Sequence, residues 1–146
     1  MFMTPFFFTA SWSRILSILT VVASVAILGG AAVSAEEGQV WLSLLLVAIW
    51  LVCLTGHVRG YSITGDTLHI QRLFHGHDVD LSTVTKAELC PGLLRRSLRV
   101  GNGGLFSFSG WFWNRTHGWV RAVATDAGER CVLLTAPDQK WVVSPD

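Results

Sequence analysis

The side chains best equipped for chemistry in this chain are His75, His77, Asp78 and Asp80, all within a few residues of one another. In an extended strand His75 and His77 would share a face, and imidazole with carboxylate is a donor set that holds zinc-type ions. No third ligand follows at a diagnostic spacing, and a polar strand edge accounts for the same residues. Ser107, Ser109, His117 and Asp126 supply a hydroxyl, a base and a carboxylate. They come without a Gly-x-Ser-x-Gly elbow or an oxyanion element. The run Gly101-Asn102-Gly103-Gly104 has the glycines of a phosphate cradle but lacks the Gly-Lys-Ser/Thr ending and the following helix. His57 is read as lying at the membrane surface, while His69 and His117 are isolated and read as structural. The chain is therefore read as non-enzymatic, with no metal and no cofactor.

Cysteine usage agrees. Cys53, Cys90 and Cys131 form no Cys-x-x-Cys pair and read as buried, reduced thiols. A Cys90–Cys131 disulfide stays open only for a domain outside the cytoplasm.

The best non-catalytic candidates lie between Pro91 and Trp113. Arg95, Arg96 and Arg99 form a basic segment, read either as a solvated loop or as a contact for anionic headgroups, each basic residue contributing about 1 kcal/mol at a membrane surface. In Trp111-Phe112-Trp113 strand alternation puts the tryptophans on one face and Phe112 on the other. The choices are burial in a barrel or an exposed stripe that meets a partner or an interface.

What positions these residues is a chain in two parts. Ile15 to Ala35 and Gly38 to Gly56 carry no Asp, Glu, Lys, Arg or His. Each run is close to the roughly 20 residues that cross a bilayer as a helix. Mean hydropathy is +0.47, and the apolar excess precedes Arg59. Residues 1–59 are read as a two-helix membrane anchor and residues 60–146 as a small β domain. Arg14 and Arg59 flank the spans while Glu36 and Glu37 occupy the connection, so the positive-inside rule puts both ends in the cytoplasm. Val33-Ser34-Ala35 also fits a signal-peptide cleavage site, which would leave the β domain in the same place. Phe6, Phe7, Phe8, Trp12, Trp41 and Trp50 read as interfacial anchors. No ionisable group that would carry a transport or proton-relay function stands in either run.

Beyond Arg59 the sequence reads as about seven short strands without a long helix. Tyr61–Thr64 and Thr67–Leu73 flank a Gly65-Asp66 hairpin turn, His77–Leu81 and Thr83–Leu89 follow, and a meander runs from Gly118 to Val143. This predicts a small barrel or bent sandwich. Nine Lys/Arg against eight Asp/Glu in the tail exclude a charge-driven nucleic-acid partner.

The tail from Gly60 onward resembles the bacterial pleckstrin-homology-like domains of membrane-anchored proteins. The resemblance rests on Gly104-Leu105-Phe106, Gly110-Trp111-Phe112, Val123-Ala124-Thr125-Asp126, Val132-Leu133-Leu134 and Val142-Val143-Ser144-Pro145. It implies a strongly bent pair of sheets with seven strands, closed at one end by a C-terminal helix, at a bacterial inner membrane, and it implies no catalysis. Ser144-Pro145-Asp146 looks like the cap and first turn of that helix, which then is missing, so the expectation is either that another surface, such as a second copy or the membrane, covers the open barrel mouth or that the chain is shorter than typical relatives. The first hairpin turn, Gly65-Asp66, lacks the basic residues of phosphoinositide-binding relatives. The expected function is a module that binds or organises a protein partner, or another copy of itself, beside the bilayer. The competing expectation is an anionic-lipid reader using Arg95, Arg96, Arg99, Trp111 and Trp113.

Overall fold

Ser13 opens the first helix: its hydroxyl accepts a hydrogen bond from the Leu16 amide at 3.2 Å, satisfying one of the donors a helix start leaves free. The computed structural model describes residues 5–146. Strand β1 is Phe6–Thr9, helix α1 Arg14–Glu36 and helix α2 Val40–Thr55. Strands β2 (Val58–Thr64), β3 (Thr67–Arg72), β4 (His77–Asp80), β5 (Lys86–Leu89), β6 (Leu98–Leu105), β7 (Ser107–Asn114), β8 (Gly118–Ala124), β9 (Val132–Thr135) and β10 (Lys140–Val143) follow.

The helices form an antiparallel hairpin. Gly38, at φ 79°, takes the left-handed turn that reverses the chain, and the Trp50 indole donates to the Ser24 hydroxyl at 3.0 Å across the pair. With 23 residues, α1 is long and apolar enough to cross a membrane. At 16 residues, or about 24 Å, α2 falls short of the roughly 30 Å hydrocarbon core.

Two sheets follow, one of order β1-β2-β3-β4 and one of order β5-β9-β10-β8-β7-β6; among the described residues only β10 and β8 pair in parallel. The ten strands among the described residues exceed the expected seven by three, β1 and the paired β6 and β7, for two reasons. Residues 6–9, expected only to anchor, add an edge strand on β2, with Phe8 opposite Tyr61. The glycine- and arginine-bearing segment expected as a loop is β6, extended because it pairs along its length with β7, and such pairing overrides weak strand propensity. Gly101 and Gly110 face each other there at φ 147° and 122°, in close backbone contact that a Cβ would obstruct.

Two apolar clusters hold the fold. The first lies on one face of the larger sheet, where Phe108, Phe112, Val120, Leu133 and Val142 pack with Leu94 and Cys131. Leu16 of α1, completely buried, belongs to it, and Trp12 packs against it. The second lies between the sheets and joins Val58, Tyr61, Leu68 and Ile70 to Val123, Leu134 and Val143. Residues on both sides of position 59 thus share one interior.

Ser144–Asp146 start no helix. The Ser144 hydroxyl accepts from the amides of Thr125 at 2.8 Å and Asp126 at 3.2 Å. The Asp146 carboxylate accepts from the Ser11 amide at 2.9 Å and from the Arg130 guanidinium. The cover expected from a second copy or the membrane comes, on the first cluster, from the chain's own N-terminal segment: Trp12 and the first turns of α1. Between β1 and β5 an apolar groove of about 440 Å³ stays open, lined by Phe8, Ile63, Ala87, Val132 and others.

Candidate functional site

Everything distinctive about the surface is organised by the β6–β7 hairpin. Its turn, Leu105-Phe106-Ser107, is inserted at the root of the helical hairpin. The Thr20 hydroxyl of α1 donates to the Gly104 carbonyl at 3.2 Å and accepts from the Phe106 amide at 3.0 Å. Phe106, at φ 66°, occupies the left-handed region that side chains avoid. Its ring sits edge-on to Trp50 at 5.5 Å and to Trp12 at 6.2 Å, contacts that offset the backbone cost.

Along the hairpin, pairing puts residues in rows across the sheet. One row is Leu98, Trp113 and Trp119; the next is Val100, Trp111, Arg121 and Trp141. Phe112, between the two tryptophans, is fully buried on the opposite face. The smaller sheet covers this row face at the β9–β10 end and stops short of β6 and β7. Leu98, Val100, Trp111 and Trp119 are therefore 67%, 58%, 44% and 54% exposed. Trp113 is half-buried.

Where the cover ends, cations gather. The Arg121 guanidinium lies 5.0 Å from the Trp141 ring centroid and 6.0 Å from that of Trp111. It also approaches His77 Nε2 at 3.3 Å. Burial, then the nearby Arg72 and Arg121, push the His77 imidazole below its usual range. Burial and Arg121 likewise hold the Arg72 guanidinium below its ordinary value.

The basic segment expected to act with the tryptophans is divided. Arg95 and Arg96 stand in a single 3-10 turn and line a groove of about 620 Å³ with Leu98, Trp113 and Arg115. Arg99, on β6, donates to the Gly103 carbonyl at 3.1 Å. From Leu98 to Leu105 the strand runs about 23 Å. The Arg95, Arg96 and Trp113 groove thus lies at the end of the hairpin opposite the helix roots, while Trp111 lies midway.

The possible chemical constellations do not assemble. Asp80 accepts from the Ser82 amide at 2.9 Å as a turn cap, Asp78 pairs with His69 at 2.6 Å, and His75 is exposed beyond β3. The Ser107 hydroxyl donates to Ser109 at 3.3 Å, while Asp126 accepts from the Gly128 amide at 2.7 Å and from Arg130 at 3.2 Å. Cys131 donates to the Asp126 carbonyl at 3.2 Å, and burial first, with the Asp126 charge, pushes its thiol up to about 11.

Arg72, Arg121 and Trp119 were not singled out from sequence. Trp119 had the clearest signal, three residues before the buried Ala122 and so on the opposite face of an alternating strand. Residues 59–146 match the family model described as bacterial PH domain. No curated protein and no solved structure matches the chain.

Proposed function

The chain belongs to the bacterial PH domain family, and from that premise we propose that it is a non-catalytic binding module, held at the cytoplasmic face of a bacterial inner membrane by α1 and α2, that docks a protein partner on the uncovered row face of β6, β7 and β8. One observation carries the partner reading: Leu98, Val100, Trp111 and Trp119 leave a contiguous aromatic and aliphatic surface beside a cation-bearing edge. Tryptophan with arginine is the composition enriched at the energetic centres of protein interfaces. A second copy of the chain is one form this partner can take.

Anchoring is supported by the helical hairpin. Val22, Val25, Leu44, Leu45 and Val52 are more than half exposed along it, a surface too apolar to stand in water. Because Leu16 and Thr20 are docked on the β domain, α1 projects about 16 residues beyond it, matching α2. A hairpin of about 24 Å then crosses with local bilayer thinning and with Trp41 and Trp50 near opposite interfaces.

The test is a photo-crosslinking amino acid at Trp119 in the full chain in native membranes, with the same substitution at the half-buried Trp113 for comparison. A discrete protein adduct at Trp119 is expected. Only phospholipid-sized adducts, or none, would refute the partner reading.

A further inference from the structure

Strand register brings Arg72 to the foot of α2. The helix ends at Thr55, Gly56 and His57 follow, and Val58 pairs with Arg72. Arg72 there lines a pocket of about 360 Å³ with Val52, Thr55, Gly56, Asn102 and Ser109, and none of the lining residues is a carboxylate. The described ion pairs employ His69, Lys86 and Arg130 as cations, never Arg72. Its Nε is buried without a hydrogen-bond partner among the described residues. A buried donor on a charged group left unpaired is costly, so the site is built short of one acceptor. The neighbouring Arg121 deepens the deficit, its own contacts being two indole rings and His77.

We infer that this pocket binds the phosphate group of an anionic phospholipid, with Arg72 as the residue that holds it. A guanidinium presents paired N–H donors that match phosphate oxygens. Ser109 adds a donor: its hydroxyl accepts from Ser107, and its own proton has no acceptor among the described residues. Gly56 keeps the pocket open, since a Cβ there would come within 3.2 Å of Ser109 Oγ. A phosphate on a lipid is favoured over a free one because one wall is the apolar helix itself. Val52, 68% exposed, carries the pocket onto the apolar surface of α2, where an acyl chain would lie. The inference rests on the anchoring reading and is independent of the protein partner proposed for Trp119.

Native mass spectrometry of the full chain in detergent, titrated with phosphatidylglycerol and separately with phosphatidylcholine, tests it. The expected result is one preferred phosphatidylglycerol adduct on the wild type, reduced roughly fivefold or more by Arg72→Gln. Joint Arg95→Gln and Arg96→Gln substitution is expected to leave it unchanged. Equal adducts on wild type and Arg72→Gln, or loss with the Arg95/Arg96 variant instead, would overturn the site. Displacement by millimolar inorganic phosphate would overturn the lipid as its source. If melting shows that Arg72→Gln does not fold, Arg72→Lys replaces it: that variant keeps the charge without the paired donors, and adducts equal to wild type would count against the inference. Carbonate extraction of the same membranes reports anchoring separately, so a failure there is distinguishable from a failure of the pocket.

Discussion

Leu16→Ala should loosen the β domain from a position that lies 42 residues before Val58, the first residue of β2. Leu16 is fully buried against the cluster that contains Phe108, Phe112 and Cys131. Truncating a fully buried leucine removes its transfer energy and leaves a cavity, together about 3 kcal/mol in a range of about 2–5. Because Cys131 lies in the same cluster, its thiol reports the opening. With Cys53 and Cys90 replaced by serine, labelling of Cys131 by a thiol reagent in detergent, slow relative to reclosing, follows the open population. A loss of about 3 kcal/mol then accelerates labelling on the order of 100-fold. Ile18→Ala, at a position 63% exposed, is the control and should leave the rate near that of the parent. Equal rates for the two variants would refute the claim that α1 forms part of the domain interior.

Two further outcomes follow from the same packing. Gly110→Ala should cost about 1–3 kcal/mol in urea unfolding, because φ is 122° there and a Cβ would stand 2.9 Å from the Val100 carbonyl oxygen; an unchanged midpoint would mean that β6 and β7 do not pair at Gly101 and Gly110. The Cys131 thiol, raised from 9.0 to about 11 in the fold, loses its proton sooner in the unfolded chain, so its contribution is complete below pH 9 and fades as pH rises towards 11. The full loss is about 3 kcal/mol, and the slope of stability between about pH 9 and about pH 11 should flatten in Cys131→Ala.

Much of the fold was legible because local chemistry agreed with it. Thr64-Gly65-Asp66-Thr67 marked the first hairpin, and Thr64 does pair with Thr67. The resemblance drawn from Gly104-Leu105-Phe106 and the motifs after it holds, since the family match covers residues 59–146. What stayed hidden depended on partners distant in sequence. Phe6–Thr9 looks like an interfacial aromatic run, and only the free edge of β2 makes it a strand. Thr20 reads as one more small residue in an apolar helix, and only the turn at Gly104 and Phe106 gives its hydroxyl two partners. The glycines of β6 argued for a loop because their strand role comes from close approach to β7, which propensity does not register.

Arg72 is the instructive case, for its position was within reach of counting and its isolation was not. Counting outward from the Gly65-Asp66 turn brings Arg72 beside Val58 and Arg59, just past the end of α2, and the register shift between Val58 and Gly60 moves the pairing by a single residue. A sequence reading that weighs basic residues by clustering passes over it in favour of Arg95, Arg96 and Arg99, which stand together only along the chain. A cation's use depends instead on what it lacks. Arg95 and Arg96 are exposed, so water satisfies them at little cost. Arg72 is half-buried beside a second guanidinium, with no carboxylate lining its pocket. The missing acceptor, rather than the density of positive charge, is what makes the foot of α2 a site.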